Sequence, residues 1–113
     1  MEILTTNQSV VSSSKMKAIA LIRRRIILAV DAFAEVVVWR VPEPVLPSEH
    51  LYKYRLVYVV NRRCVLRYDN ERGKGDHRHF DGEEFLYTFS SPEQLMADFN
   101  ADILRWNNEH GRS

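Results

Sequence analysis

A polar run at residues 68–80 contains most of the side-chain types needed to bind or cleave a phosphodiester. It includes two histidines, which can exchange protons near neutral pH, and three cations, which can donate hydrogen bonds to phosphate oxygens. These residues are His77, His79, Arg72, Lys74 and Arg78. Gly73 and Gly75 leave the backbone free to adopt positive φ values or to approach a ligand closely. The run therefore fits phosphodiester binding or chemistry.

The two histidines are also candidates for a metal site. His77 and His79 are two residues apart, so in an extended segment they lie on the same side and Arg78 lies on the other. They could bind one metal ion or act together on one substrate, and Asp76 or Asp81 could supply further metal ligands. A solvated loop without chemical function is the alternative interpretation of the same residues.

The strand that leads into the polar run has the clearest pattern in the chain. Residues 52–60 alternate between two sets of side chains, which predicts a β-strand. The set on one side is Tyr52, Tyr54, Leu56, Tyr58 and Val60. Residues 61–63 predict a turn, and residues 64–68 predict the partner strand. We therefore expect the polar run to begin where a strand ends.

Two further strands are predicted upstream. Residues 17–29 and 34–41 are rich in β-branched side chains, which favour strands, and residues 30–33 are short enough to connect them as a hairpin. A helix over residues 17–34 is the competing interpretation, because alanine, leucine and arginine tolerate helices well. Three prolines then require an irregular connection at residues 42–50.

The C-terminal part predicts one strand and one helix. Residues 85–89 are short, aromatic and extended. Ser91 as N-cap, Pro92 at the first helical position and Gln94 three residues after the cap predict a helix start. An apolar stripe follows at helical spacing and ends before Gly111. The stripe consists of Leu95, Phe99, Ile103 and Trp106. The elements together predict an α+β domain, an antiparallel sheet of four or five strands with the C-terminal helix packed on one face.

Composition limits the domain organisation and the class of protein. The 113 residues and 45% hydrophobic content suffice for one domain, which we place at residues 16–110 after a flexible polar tail at residues 1–15. The formal net charge is only +1, so nucleic-acid binding must rest on clustered cations. A single cysteine excludes a disulfide framework and makes a reducing cytoplasm the simplest compartment. We expect no membrane span and no secretory signal.

The polar run and two flanking motifs resemble one known family. Residues 68–79, preceded by residues 39–44 and 53–56, are similar to the TumE toxin components of toxin–antitoxin operons. The resemblance covers about residues 16–106, and we expect residues 1–15 to have no counterpart in the family. It implies a small cytoplasmic toxin with a cognate antitoxin that carries a helix-turn-helix domain.

Small antiparallel-sheet toxins of the RelE type cleave messenger RNA, and the analogy of fold suggests a comparable target here. We predict a toxin that acts on RNA, as a metal-independent endoribonuclease without cofactor that inhibits translation. One of His77 and His79 removes the proton of a ribose 2′-hydroxyl, and the other protonates the leaving oxygen.

Arg78 and Tyr68 are the other two predicted catalytic residues. Arg78, together with Arg72 and Lys74, is predicted to stabilise charge that develops on the phosphate, and Tyr68 to orient or stack on a base. The predicted substrate-binding residues are Arg67, Arg72, Lys74 and Asp76. Two alternatives remain. One is a non-enzymatic module that binds nucleic acid or a protein, and the other is a metal-dependent nuclease that uses the two histidines and Asp76.

Overall fold

A computed structural model describes residues 17–112, which form one six-stranded antiparallel sheet and one helix. The strands follow each other across the sheet in chain order. They are β1 (Ile19–Ala29), β2 (Ala32–Arg40), β3 (Tyr52–Val60), β4 (Arg63–Glu71), β5 (Gly75–Phe80) and β6 (Glu83–Leu86), and the helix is α1 (Pro92–Glu109). The predicted α+β class with a C-terminal helix on the sheet is confirmed, although the sheet has more strands than the four or five predicted. The predicted tail lies outside the described residues.

The additional strand arises in the polar run, which is a β-hairpin and not a loop. β4 continues to Glu71, β5 begins at Gly75, and only residues 72–74 connect them. Polar side chains suit these strands because one face of an antiparallel sheet can be solvated. Gly73 and Gly75 both have positive φ, at 85° and 80°, which glycine adopts without steric cost.

The remaining sequence-based boundaries agree with the structure to different degrees. The predicted first hairpin is confirmed as β1 and β2, so the alternative helix over residues 17–34 is wrong. The turn after β3 uses Asn61 and Arg62, which both have positive φ, as two-residue hairpins of type I′ require. The strand predicted at residues 85–89 is displaced, because β6 covers Glu83–Leu86.

The core lies between α1 and the sheet face that it covers. Alternating residues of β2, β3 and β4 point to this face and are buried, and they pack against the predicted helix stripe. The most deeply buried large side chains include Tyr54, Tyr58, Tyr68, Phe99, Leu56, Leu66 and Leu95. The N-cap prediction is confirmed, because Ser91 Oγ accepts a hydrogen bond from the Gln94 amide at 3.0 Å. In the described part of the chain, no helix is long and apolar enough to span a membrane.

Replacing Phe99 with alanine is expected to lower the free energy of unfolding by about 3–5 kcal/mol. The side chain is only 1% exposed and its ring meets the Tyr68 ring edge-on at 6.0 Å, so truncation leaves a cavity in the core. Urea unfolding measures the change. Leu104→Ala on the same helix is the control, because Leu104 is 66% exposed and should shift stability by less than about 0.5 kcal/mol. Equal stability of the Phe99 variant and the parent protein would contradict this packing.

Candidate functional site

The candidate site lies on the sheet face opposite α1, which we call the open face. Residues directly opposite each other on neighbouring antiparallel strands project to the same face. Arg67 of β4 pairs with His79 of β5, and Asp69 pairs with His77. His79 in turn pairs with Glu84 of β6. These five residues form the open-face cluster.

His79 is held by a cation and faces a carboxylate. Its Nε2 lies 3.0 Å from Arg67 Nη2. Arginine can only donate, so Nε2 accepts this hydrogen bond and the imidazole proton is on Nδ1. Glu84 Oε2 lies 3.6 Å from the same nitrogen. A second proton on His79 would therefore displace Arg67 and would be attracted to Glu84.

His77 has the complementary arrangement. Its Nδ1 lies 3.2 Å from the carbonyl oxygen of Gly75, which can only accept, so Nδ1 carries the proton. Its Nε2 is then available as a proton acceptor and lies 3.8 Å from Glu84 Oε2. The Glu84 carboxylate thus contacts both imidazoles. The side chains of His77 and His79 are 15% and 25% exposed, so a ligand on the open face can reach them.

Arg67 links the histidines to Asp69. Its Nε is buried without a hydrogen-bond partner and lies 3.4 Å from Asp69 Oδ2. A buried donor without a hydrogen bond is costly, and the ion pair with Asp69 offsets part of that cost. Beside the cluster is a shallow depression of about 430 Å³, lined by Lys74, His77, Glu84, Phe85 and Leu86.

Tyr68 and Arg78 lie on the other face of the sheet, away from the two histidines. Arg78 donates to both carboxylate oxygens of Asp102 in α1, at 2.6 and 3.0 Å. The Tyr68 hydroxyl donates to Asp102 at 2.6 Å. Burial, followed by the hydrogen bond to Asp102, raises the pKa of Tyr68, and the same carboxylate raises the pKa of Arg78. The predicted grouping of Tyr68 and Arg78 with the histidines is therefore corrected, because alternation along β4 and β5 directs them towards the helix.

Asp76 also projects away from the open face. It accepts hydrogen bonds from Ser48, from the Tyr54 hydroxyl at 2.6 Å and from His50 Nε2 at 2.7 Å. The other ring nitrogen of His50 accepts from the Tyr52 amide at 3.2 Å, so neither nitrogen is free for chemistry. Burial, followed by the bond to Asp76, raises the pKa of Tyr54. These hydrogen bonds hold the proline-rich connection between β2 and β3 against the β4–β5 hairpin.

The placement of Asp76 bears on the metal hypothesis. Asp76 and the two histidines point to opposite faces of β5, so they cannot bind one ion together. Within residues 17–112, no group of three or more histidine, cysteine, aspartate or glutamate side chains could hold a metal ion. The specific ligand set predicted from the sequence is therefore not assembled.

The other predicted substrate-binding residues lie near the hairpin turn. Arg72 is exposed in the turn itself. Lys74 is also exposed, and its Nζ lies 3.9 Å from Glu71. Of the eight predicted residues, the structure brings together His77, His79 and Arg67, with Lys74 at the edge. Sequence reasoning missed Glu84, which only the strand register identifies.

Comparison with known proteins identifies one match. A family model described as "Toxin TumE" matches residues 2–107. The matched range begins at residue 2, so the expectation that residues 1–15 have no counterpart in the family is wrong. No curated protein and no solved structure matches the chain.

Proposed function

This chain belongs to the TumE toxin family, and from that premise we propose that it is an endoribonuclease that stops translation by cleaving RNA without a metal ion. Membership of a toxin family implies an antitoxin partner. We further propose that this antitoxin carries a helix-turn-helix domain and that both proteins act in the cytoplasm. The catalytic residues of the proposal are His77 and His79.

One observation carries the proposal, namely that two partly exposed imidazoles share one face with a guanidinium and a carboxylate. His77 and His79 are both within 4 Å of Glu84, and Arg67 contacts His79. Transfer of a phosphoryl group from the 5′-oxygen to the 2′-oxygen of RNA needs a base, an acid and a cation for the developing charge. The open-face cluster contains all three.

His77 is the general base of the proposed reaction. Its Nδ1 proton is engaged by Gly75, which orients the lone pair of Nε2 outwards. This nitrogen takes the proton of a ribose 2′-hydroxyl while the 2′-oxygen forms a bond to the adjacent phosphorus. The bond from phosphorus to the 5′-oxygen breaks, which leaves a 2′,3′-cyclic phosphate on one product.

His79 is the general acid. In its doubly protonated form it releases Arg67, is attracted to Glu84 and gives a proton to the departing 5′-oxygen, so the second product has a 5′-hydroxyl. The released Arg67 stabilises the negative charge on the phosphate. Arg55 pairs with Asp69 on the same face and is exposed, so it adds a cation for RNA backbone contacts.

The direct test is incubation of the purified protein with single-stranded RNA in EDTA. We expect cleavage at an undiminished rate, with 2′,3′-cyclic phosphate and 5′-hydroxyl ends detected by mass spectrometry. RNA in which the nucleotide 5′ to the cut is 2′-deoxy is the matched control and should remain intact.

Other results would favour the alternatives. Cleavage that requires added Mg²⁺ or Mn²⁺ supports a metal-dependent nuclease. Tight RNA binding without products supports a binding module and contradicts the proposed reaction.

A further inference from the structure

The edge strand β1 has an unusual surface for the border of a sheet. Among the described residues it pairs only with β2, and nearly all of its side chains are exposed. The exposed large hydrophobic residues of β1 are Ile19, Leu21, Ile27 and Leu28. A long strand edge with exposed apolar residues is a template for pairing with another chain. The pairing of β1 with β2 has register shifts between Ala20 and Ile22 and between Ile27 and Ala29, so the regular part of this edge is residues 22–27.

Apolar residues occur on both faces of β1. Ile27 pairs with Phe33 and so projects to the open face. Ile22 pairs with Val38 and projects to the helix face, where it lines a depression of about 490 Å³ together with Ile26 and Met96. A partner helix packed on one face of β1 would leave the apolar residues of the other face exposed to water. A strand added at the edge places alternate side chains beside both faces.

The centre of β1 is cationic. Arg23, Arg24 and Arg25 are consecutive, and residues 17–30 contain no aspartate or glutamate. Arg25 is paired with Glu35 of the neighbouring strand at 3.1 Å, whereas Arg24 is exposed on the helix face. A partner strand with acidic residues opposite this segment gains favourable cross-strand pairs.

We propose that β1 binds an extended segment of the antitoxin, rich in acidic and apolar residues, as an additional strand of the sheet. The inference uses the family's implied antitoxin and does not depend on the ribonuclease proposal. Strand addition of this kind obtains affinity from main-chain hydrogen bonds and specificity from the alternating side chains.

The charges of β1 argue against two other partners for this strand edge, a second copy of the chain and residues 1–16 of the same chain. A second copy pairing antiparallel about Arg24, the middle of β1, would place Arg23 opposite Arg25, and like charges directly opposite each other are destabilising. Residues 1–16 of the same chain contain Glu2 and Lys15 as their only charged side chains, so they offer no excess of acid.

The test uses the full-length chain and, as probe, the purified protein encoded beside it that suppresses its growth inhibition. Arg24→Glu should raise the Kd for this antitoxin at least about tenfold, because it replaces an attraction by a repulsion. Arg105→Glu in α1 makes the same charge change at an exposed residue beside Phe80 of β5, far from β1, and should leave the Kd unchanged. Hydrogen exchange should show newly protected backbone amides within residues 19–29 in the complex.

Three results would overturn the proposal. If Arg24→Glu leaves the Kd unchanged and the complex shows no new protection of amides within residues 19–29, the antitoxin binds elsewhere on the molecule. Protection of those amides in the chain alone, with dimers in sedimentation, assigns the edge to a second copy. Protection in the chain alone that disappears when residues 1–16 are deleted assigns the edge to that segment.

Discussion

Alanine in place of His77 or His79 is expected to lower the rate of RNA cleavage about 10²–10⁴-fold, the usual effect of losing one general acid or base. His77 offers an Nε2 lone pair because Gly75 engages its other nitrogen, and His79 lies between Arg67 and Glu84. Neither variant removes a core side chain, so both should remain folded. Cleavage rates and growth inhibition measure the effect.

The matched control is His110→Ala, which removes a histidine at the end of α1, outside the open-face cluster. It should cleave RNA at the parental rate. The His77 and His79 variants should still bind RNA, because the cations of the open face are intact. Parental cleavage rates in both histidine variants would contradict the assignment of acid and base.

Removal of the Asp102 carboxylate is expected to destabilise the fold by about 3 kcal/mol, since it leaves a partly buried arginine without its partner. Arg78 makes a bidentate contact with Asp102, and Tyr68 donates to the same group. Asp102→Ala therefore removes the polar contact between the helix and the centre of the sheet, while the apolar packing of α1 remains. Urea unfolding measures the loss.

Glu109→Ala on the same helix is the control for this variant. Glu109 pairs with Arg105 at 2.9 Å, but both side chains are exposed, so the change should be below about 1 kcal/mol. Parental stability of Asp102→Ala together with loss of RNA cleavage would contradict the structural role. It would return Arg78 to the catalytic role predicted from the sequence, stabilisation of the charge that develops on the phosphate.

Local patterns in the sequence were sufficient for most of the fold. Alternation identified β3, and a hydroxyl, a proline and a glutamine identified the start of α1. The two-residue spacing of His77 and His79 predicted a common side, with Arg78 on the other, and the structure agrees. Each of these features depends only on neighbouring residues and on the period of one element.

Features that depend on long-range pairing were not predictable in the same way. Polarity made residues 68–80 resemble a loop, but a strand with one solvated face is equally polar. The register that places Arg67 beside His79 is fixed by the turn position and not by composition. His50 reaches Asp76 and Arg78 reaches Asp102 across about twenty-five residues of chain, and no periodic pattern connects partners so far apart.

The most direct test of the central claim is the growth assay of the double variant His77→Ala/His79→Ala. Its far-ultraviolet circular dichroism and urea midpoint should match those of the parent protein. We predict that cells expressing it without antitoxin grow normally, because both proton-transfer groups are missing. A folded double variant that inhibits growth as strongly as the parent would contradict the acid–base mechanism.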